Sequence, residues 1–395
     1  MSDNATLTGY SRSNGRWGFR NYLLLLPLHN ALNQLVDQVR TDFGGDKSAG
    51  KSITAVAHDW SGEIDQDWER IHRTFSGFAV NPNVGATIFV GIGSESENAI
   101  VKNAQSRREM PISFLTLKEA GGFDQLTAAI SQEIQRLLPG IEREERTPAP
   151  WSAIVLGLEC GGSDAYSGIT ANPALGVASD KFVELGGTSI LAETMEILGA
   201  EHLLAARAKS PEVGKAIIDV VARYEKSITY EGIDIRGAQP SRGNIEGGLT
   251  TLEEKSLGAA KKAGNAPFTG VLDYAFVPHE PGLYFMDTPG HDIEQLTGFA
   301  AADVNVTVFT TGRGTPTGSA VIPTIKVATN TEMAIALPDL IDLNAGTIAD
   351  GTETVHEVGA RIFAEIVDVA NGKLTAAELG GHREFNLSRL YSSTQ

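Results

Sequence analysis

Short apolar runs alternate with segments of helical periodicity along the first third of this chain, and this alternation constrains its fold more than any other feature. Such a pattern is typical of strands and crossover helices in a parallel sheet covered on both faces. The predicted strands are YLLLLPL, ITAVA, ATIFVGIG and ISFLTL. The predicted helices are ALNQLVDQVRTDF, DWERIHRTFSGF, ENAIVKNAQSRR and FDQLTAAISQEIQRLLPGI. The sequence therefore predicts a doubly wound, Rossmann-like α/β domain.

Both periodicities break at REERTPAPW, where Pro148 and Pro150 follow a charged run. Beyond it, further strands are predicted at SAIVLGL, TSILAE, VNVTVFTTG and AVIPTIKVA. We therefore expect a doubly wound parallel-sheet N-terminal domain over residues 1–146 and a second α/β domain over residues 151–395. The stretch from Thr229 to Gly248 has little periodicity, which predicts a long functional loop or a connection between lobes.

Charge and cysteine content exclude several classes of function. The 395-residue chain has 32 Lys+Arg against 49 Asp+Glu, a formal net charge of −17. Nucleic acids and anionic membranes attract positive surfaces, so we expect neither as a partner. A single cysteine, Cys160, allows no intrachain disulfide and no multi-thiolate zinc site. The early run Tyr22–Leu28 is far shorter than the roughly 20 residues of a membrane span, and we expect a cytoplasmic protein.

The densest polar segment is LECGGSDAYSGITANP, which directly follows a predicted buried strand. In open α/β sheets, ligands bind where loops leave the carboxyl ends of the strands. Glycines let backbone amides approach an anion, while Glu159, Cys160 and Asp164 could ligate a metal or move a proton. The alternative is a tight turn whose small polar residues cap the following helix.

A second glycine-rich run, TTGRGTPTGS, follows another predicted strand. It could hold a carboxylate or phosphate, with Arg313 as a bidentate clamp, or it could be a glycine-rich hairpin turn. Gly91 and Gly93 also follow a strand but lack the third glycine of a dinucleotide-binding motif, which favours a plain turn.

Other candidates lie outside these glycine runs. His58, His279 and His291 sit beside acidic or glycine-rich segments, where each could bind a metal or move a proton, or could simply be a surface residue or cap. Glu193 and Glu196 could face the same crevice, although a helix N-terminus also favours acidic residues. Before the first strand, an arginine recurs every four residues, at Arg12, Arg16 and Arg20. This spacing suggests anion recognition or pairing with acidic neighbours.

Several of these segments together resemble the altronate/galactarate dehydratase family. The resemblance rests on GYSRSNGRWGFRNYLLLLP, NPNVGATIFVGIG, LECGGSDAYSGITANPALG, GGTSILAETMEILGAE, RGNIEGGLTTLEEKSLGAAKKAG, MDTPGHD, FTTGRGTPTGSAVIPTIKVATN and AGTIADG. It implies a lyase that removes water from a sugar acid and is activated by a divalent metal, with Fe²⁺ preferred and Mn²⁺ or Mg²⁺ as alternatives. Many relatives have cysteines where this chain has Glu63 or its neighbours, Ser94 and Ala345.

The resemblance also implies partners. Family members typically have a small N-terminal SAF domain, whereas this chain begins at the GYSRSNGR motif, so we expect that domain to be absent or supplied by a separate small subunit. A two-subunit branch includes the (2R)-sulfolactate sulfo-lyases, to whose large subunit the chain is similar. We expect an oligomer acting on a small anionic hydroxy acid.

A common chemistry then assigns roles to the candidates. A 2-hydroxy acid chelates a divalent ion, a base takes the α-proton and a β-substituent departs. The expected metal ligands are Cys160, Asp164 and Glu193. The expected catalytic groups are His58, Asp164 and His291. The expected substrate-binding residues are Arg16, Arg20, Ser163, Asn172, Arg313 and Lys326.

Two further classes of function stay open at this point. The chain could be a non-catalytic subunit whose glycine loops hold a small anion while a partner performs the chemistry. A nucleotide-dependent α/β enzyme is the other alternative, and the incomplete glycine pattern argues against it.

Overall fold

The apolar runs of the first third form a parallel sheet, as predicted. The structure, a computed structural model, describes residues 6–44, 53–62, 67–230, 233–234 and 239–388. The first strands are β1 Leu7–Ser11, β2 Trp17–Gly18, β3 Tyr22–Pro27, β4 Ile53–Ala55, β5 Val84–Gly91, β6 Ile112–Thr116 and β7 Thr147–Ala149. The first helices are α1 Asn33–Asp42, α2 Trp68–Ala79, α3 Glu95–Arg107, α4 Leu117–Ala120 and α5 Phe123–Arg143.

The first sheet has the strand order β4-β3-β5-β6, with every pairing parallel. All side chains of β3 and β5 are buried, because helices and neighbouring elements cover both faces of a parallel sheet. A small antiparallel sheet of order β2-β1-β7 lies beside it, and β7 comes from the segment where the sequence predicts a domain boundary.

The second half of the chain forms a larger sheet. The strands of this half are β8 Val155–Cys160, β9 Thr188–Leu191, β10 Thr229–Tyr230, β11 Ile233–Asp234, β12 Phe268–Leu272, β13 Gly282–Met286, β14 Val306–Thr311, β15 Thr324–Ala328 and β16 Leu343–Asn344. Of these, β10 and β11 pair with each other, as a separate antiparallel ribbon. The helices of this half are α6 Ala171–Glu184, α7 Glu201–Ala205, α8 Pro211–Ile228, α9 Arg242–Glu246, α10 Leu252–Ala260, α11 Asp292–Ala301, α12 Thr331–Ala336, α13 Val355–Ala370 and α14 Ala376–Leu379.

The strand order of this sheet is β12-β13-β9-β8-β14-β15-β16, again parallel throughout. From the central strand β8, the chain first adds β9, β12 and β13 on one side of β8, and then crosses to add β14, β15 and β16 on its other side. The carboxyl ends of β8 and β14 therefore form a topological switch point, which is where open α/β sheets bind ligands. The α/β fold class predicted for both halves is confirmed.

The two sheets share part of their core. One apolar cluster contains Leu24 and Phe75 from the first half together with Phe299, Phe309 and Phe385 from the second. The division between residues 146 and 151 stays a prediction.

Three local features bear on the sequence predictions. The described part of the Thr229–Gly248 stretch includes β10, β11 and α9, so it is not entirely loop. At the Gly91–Gly93 turn, the Glu97 carboxylate accepts the backbone N–H groups of Ile92, Gly93 and Ser94, and those amides are not available to a phosphate. No helix in the described part of the chain is both long and apolar enough to cross a bilayer.

Candidate active site

Four backbone segments bring acidic and basic side chains together at the switch point of the large sheet. Strand β8 ends in Glu159 and Cys160, and Glu193 follows β9 closely. Asp292 is the first residue of α11. Lys262 lies in a 3-10 turn directly after α10. Because successive side chains of a strand point to opposite faces, Glu159 and Cys160 lead into two different groups of residues.

The first group, here called the thiol cluster, consists of Cys160, Glu196, Lys255 and Lys262. The Lys262 ammonium donates to Cys160 Sγ at 2.9 Å and to Glu196 Oε2 at 3.2 Å. The Cys160 thiol itself donates to Glu196 Oε2 at 2.9 Å. Lys255 pairs with the other oxygen of Glu196 at 3.2 Å. The thiol cluster is thus a hydrogen-bonded network with two ammonium groups on one carboxylate.

The charges of the thiol cluster follow from burial and pairing. Burial and the adjacent Glu196 carboxylate raise the pKa of the Cys160 thiol to about 12, so the thiol is neutral. Burial opposes ionisation of Glu196, but the ammonium groups of Lys262 and Lys255 outweigh it and hold the pKa of Glu196 below its usual value. Burial likewise opposes the charge on Lys262, yet its anionic surroundings raise its pKa well above the usual value.

The second group, here called the carboxylate cluster, consists of Glu159, Glu193 and Asp292, with one oxygen from each within 4.8 Å of the others. Both oxygens of Glu159 and Oε2 of Glu193 have no hydrogen-bond partner among the described residues, although both side chains are buried. Burial raises the pKa of all three carboxyl groups, and neighbouring carboxylates raise them further. Unpartnered buried acids are costly, so these three residues form a group that could hold a cation.

Glu193 links the two clusters. Its carboxylate belongs to the carboxylate cluster, lies 3.6 Å from the Lys262 ammonium, and also groups with Cys160 and Glu196 within 4.8 Å. Its backbone has a φ of 66°, a left-handed conformation that residues other than glycine rarely adopt. The Thr288 hydroxyl accepts its backbone N–H at 2.8 Å and helps to hold this conformation. Strain of this kind is concentrated at functional sites.

Gly161 is required for the approach of Asp292. A Cβ added at Gly161 would lie 2.4 Å from Asp292 Oδ2 and 2.7 Å from Cζ of Phe309. Any side chain at this position would therefore displace the carboxylate. This close approach gives a physical reason for the first glycine after Cys160.

Lys326 lies on the far side of Phe309 from Glu159. Phe309 pairs with Glu159 on β8 and with Lys326 on β15, which places the three residues in one row across the sheet. The Lys326 Nζ atom is 3.3 Å from the centre of the Phe309 ring and has no hydrogen-bond partner among the described residues. Burial lowers the pKa of this fully buried amine to about 7, despite the nearby Asp292 and Glu159.

Asp164, predicted as a metal ligand and catalytic group, lies outside both clusters. Its carboxylate accepts the hydroxyls of Ser167 and Thr329 at 2.9 and 2.8 Å and the Asn330 amide at 3.0 Å. These bonds fix the loop after β8 to the segment after β15. Its roles in metal binding and catalysis stay predictions.

The two glycine runs do meet. The Gly161 N–H donates to Thr310 and the Gly312 N–H donates to Gly162, at 3.1 and 3.2 Å. Arg313 is about half exposed beside this contact and pairs with Glu246 at 3.6 Å.

Ser163 and Asn172 also lie near the switch point, in structural contacts. The Ser163 hydroxyl is 3.8 Å from Cys160 Sγ, and its carbonyl accepts the Asn244 amide. Asn172 accepts the Thr310 hydroxyl at 2.6 Å and donates to the carbonyl of Gly258.

The predicted histidines lie in different surroundings. His58 is buried against Phe75 and Phe385, with Nε2 2.8 Å from the Pro27 carbonyl and Nδ1 accepting the Trp60 N–H at 3.2 Å. His291 is exposed and immediately precedes Asp292.

The predicted arginines form structural pairs. Arg16 contacts Asp303 at 3.3 Å and the carbonyl of Pro278. Arg20 is fully buried and pairs with both oxygens of Glu378 at 2.7 and 2.9 Å. The substrate-binding roles of both arginines stay predictions. Glu63 lies outside the described residues.

Lys255, Lys262 and Asp292 are site residues that the sequence reasoning missed. The two lysines are seven residues apart, a spacing that returns to the same side of a helix after two turns. Lys262 interrupts GAAKKAG, a segment of otherwise small residues. A charged residue in such a segment indicates that it is buried beside an oppositely charged partner, and this was the signal in the sequence that could have revealed it.

Two family models and several known proteins match most of this chain. The family described as "D-galactarate/Altronate dehydratase, C-terminal" matches residues 151–393, and "D-galactarate dehydratase/Altronate hydrolase, second domain" matches residues 9–142. An altronate dehydratase of Bacillus subtilis is 36% identical over 391 residues, which are 97% of this chain and 77% of that protein. A galactarate dehydratase (L-threo-forming) of Escherichia coli is 40% identical over 76% of this chain and 59% of that protein.

A two-subunit enzyme is also similar. The (2R)-sulfolactate sulfo-lyase subunit beta of Chromohalobacter salexigens is 34% identical over 391 residues, 98% of each chain. A parallel α/β fold with a buried acid–thiol site, related over most of its length to dehydratases and a sulfo-lyase, defines a lyase. The chain belongs to the D-galactarate/altronate dehydratase family. The resemblance predicted from its motifs is confirmed.

Proposed function

We propose that this protein is a metal-dependent hydro-lyase that removes water from a small hydroxylated sugar acid. The observation that carries the proposal is the carboxylate cluster at the switch point of the large sheet, in which three buried oxygens of Glu159 and Glu193 have no hydrogen-bond partner in the described part of the chain. The names of the dehydratase relatives support the reaction class.

The donor atoms of the carboxylate cluster fit a divalent cation. Glu159, Glu193 and Asp292 supply hard oxygen ligands, which suit Fe²⁺, Mn²⁺ or Mg²⁺, and Fe²⁺ is the ion that we propose first. The thiol cluster fits less well, because the Lys262 ammonium already contacts Cys160 Sγ at 2.9 Å and compensates the charge of Glu196 at 3.2 Å. When bound, a divalent ion stabilises negative charge that develops on the substrate carboxylate.

The chain's own residues bind and orient the acid in this proposal. Arg313 places a guanidinium beside the contact of the two glycine runs, where it can pair with a substrate carboxylate. Lys262 and Lys255 hold Glu196 ionised, and burial beside that carboxylate keeps Cys160 neutral, which fixes the wall of the site next to Glu193.

Turnover tests the proposal directly. The purified chain, freed of metal with a chelator, is incubated with Fe²⁺, Mn²⁺ or Mg²⁺ and with altronate, galactarate and related acids, and 2-keto acid formation is measured. We expect product with at least one ion and none with the chelator present. Absence of product from every acid under every condition, including with the small subunit described next, would reject the function.

A second function has its own support. The sulfo-lyase subunit beta aligns over 98% of both chains, whereas the altronate dehydratase of Bacillus subtilis extends beyond this chain. We infer as the alternative that the chain releases sulfite from (2R)-sulfolactate together with a separate SAF-domain small subunit. Sulfite release that requires the added subunit would favour this alternative over dehydration.

We also propose that the protein is a cytoplasmic oligomer and that its two α/β units divide between residues 146 and 151. The lone cysteine fits a reducing compartment. Size-exclusion chromatography with light scattering tests the oligomer, and limited proteolysis tests the division.

A further inference from the structure

The proposed reaction needs a group that takes a proton from the carbon next to the substrate carboxylate. Both ring nitrogens of His58 lie at hydrogen-bond distance from backbone groups, and breaking these contacts would disturb the aromatic core around Phe75. His291 is exposed, where solvent competes for its proton. A base shielded from water would have to come from another residue.

Lys326 is a fully buried amine next to the carboxylate cluster. Phe309 separates it from Glu159 in the row across the sheet, and the ring face holds Nζ at 3.3 Å. Nζ has no hydrogen-bond partner among the described residues, so its lone pair or its protons are free for a ligand. The other buried lysine of the site, Lys262, has three anionic or thiol neighbours.

A groove lies near this part of the sheet. It has a volume of about 600 Å³ and its lining includes Ile293, next to Asp292, and Glu384, whose charge acts on Lys326. Arg383 also lines the groove, where its guanidinium pairs with Asp37, another lining residue, at 3.3 Å. The groove therefore carries charges of both signs near the carboxylate cluster.

We propose that Lys326 is the catalytic base that removes the α-proton of the acid, an inference that rests on the proposed hydro-lyase function. The amine lone pair takes the proton from carbon 2, and the electrons of that C–H bond form the double bond to carbon 3. Carbon 3 loses its hydroxyl, which leaves as water with a proton from solvent. The enol then becomes a 2-keto acid, and the ammonium returns its proton to solvent.

The surroundings of Lys326 agree with this role. The charged groups facing it are Asp292 on α11, Glu159 on β8, Glu384 near the C-terminus and Asp342 before β16. Burial outweighs them and lowers the pKa of Lys326 to about 7, which leaves a substantial neutral fraction near neutral pH. A base with a pKa close to the working pH transfers protons most efficiently.

The test separates proton removal from the rest of the reaction. In D₂O, the exchange of the substrate's α-hydrogen is followed by mass spectrometry for the wild type, Lys326→Met and Lys326→Arg. We expect both variants to lower exchange and kcat by at least about 100-fold, while KM changes less than about threefold. A small primary amine should restore part of the exchange in Lys326→Ala. Lys215→Met, an exposed lysine on α8, is the matched control and should behave as the wild type.

Exchange in Lys326→Met within about threefold of the wild type would overturn the proposal. A second measurement needs no substrate. Lysine labelled with ¹³C at Cε gives one NMR signal that disappears in Lys326→Arg, and we expect that signal to titrate near neutral pH. A signal that stays protonated up to pH 9 would also overturn it. A wild type that converts no acid, with a Lys326 signal that titrates near neutral pH, would instead reject the hydro-lyase function.

Discussion

The Lys262 ammonium donates a hydrogen bond to the Cys160 thiol at 2.9 Å, and neither side chain is more than 2% exposed. The thiol in turn donates a hydrogen bond to Glu196, so the lone cysteine of the chain is a neutral member of a network of charged groups. The same lysine lies 3.6 Å from Glu193 in the neighbouring carboxylate cluster. The Lys262 ammonium therefore compensates the negative charge of the thiol cluster, whereas the oxygens of the carboxylate cluster are left to bind a ligand.

Replacing Lys262 with methionine should destabilise the protein strongly. The substitution keeps the apolar stem but leaves Glu196 with the single ammonium of Lys255. Breaking a buried ion pair by removing one partner costs about 3–5 kcal/mol. Urea denaturation of Lys262→Met against the wild type measures this free energy. Lys215→Met removes an exposed pair on α8 and should change it by less than about 1 kcal/mol. Equal midpoints for the three proteins would show that the buried network contributes nothing to stability.

The alternation of apolar runs predicted both parallel sheets because it directly reports which backbone segments are buried on two faces. It did not reveal strands β12 and β13, whose segments FTGVL and GLYFM are short and stand among glycines and prolines without a clear helical neighbour. Pairing with β9 in the middle of the sheet stabilises β13, and such long-range pairing leaves little local signal.

The site was predicted only in part. The CGGSD segment correctly located Cys160 and Glu159 at the switch point, because a loop after a buried strand has a fixed place in this fold. Lys262 is more than one hundred positions away from Cys160 in the sequence, and the two residues meet only through tertiary packing. Arg20 stood out in the sequence as one of three arginines spaced by four residues, but its partner Glu378 is 358 positions away. Spacing along a chain does not report contacts of this kind.

A metal-binding assay should show that a divalent ion binds the carboxylate cluster and does not require Asp164. A divalent ion that binds the folded state at about 100 times its Kd stabilises it by about 2.7 kcal/mol. We expect Mn²⁺ to raise the melting temperature of the chelator-treated wild type and to have little effect on Glu159→Gln. Asp164→Asn should lower stability, because it weakens bonds to Ser167, Thr329 and Asn330, yet keep the shift with Mn²⁺. Loss of the shift in Asp164→Asn with retention in Glu159→Gln would reverse the assignment.

Arg20 should contribute to stability through Glu378. Its guanidinium is fully buried, forms two bonds to that carboxylate and donates to the backbone carbonyls of Val369 and Lys373. Arg20→Met should therefore cost about 3–5 kcal/mol of unfolding free energy. Arg136→Met, which removes an exposed guanidinium from its pair with Glu133, should cost much less. A folded Arg20→Met protein of normal stability whose KM rises sharply would instead support the predicted substrate-binding role.

The stability of the wild type should depend on pH through Lys326. Its folded-state pKa of about 7 lies below the ordinary value of a lysine, so between these values the unfolded chain binds more protons than the folded one. Stability from this residue is therefore lowest below pH 7, rises as the pH increases, and reaches its full value near pH 10.

Lys326→Met removes this dependence. The variant should be more stable than the wild type by at least about 1 kcal/mol at pH 7, and the difference should shrink toward pH 10. Urea denaturation of both proteins at pH 7, 8, 9 and 10 gives the difference directly, and comparing them at one pH cancels the titration of Asp342, whose pKa burial raises to about 6. Lys215→Met should show no pH-dependent difference, because its side chain is exposed. A constant gap between Lys326→Met and the wild type across this range would mean that Lys326 keeps its proton in the folded protein. The stabilisation would then come from packing alone, since a methionine that fills the space beside Phe309 contributes equally at every pH.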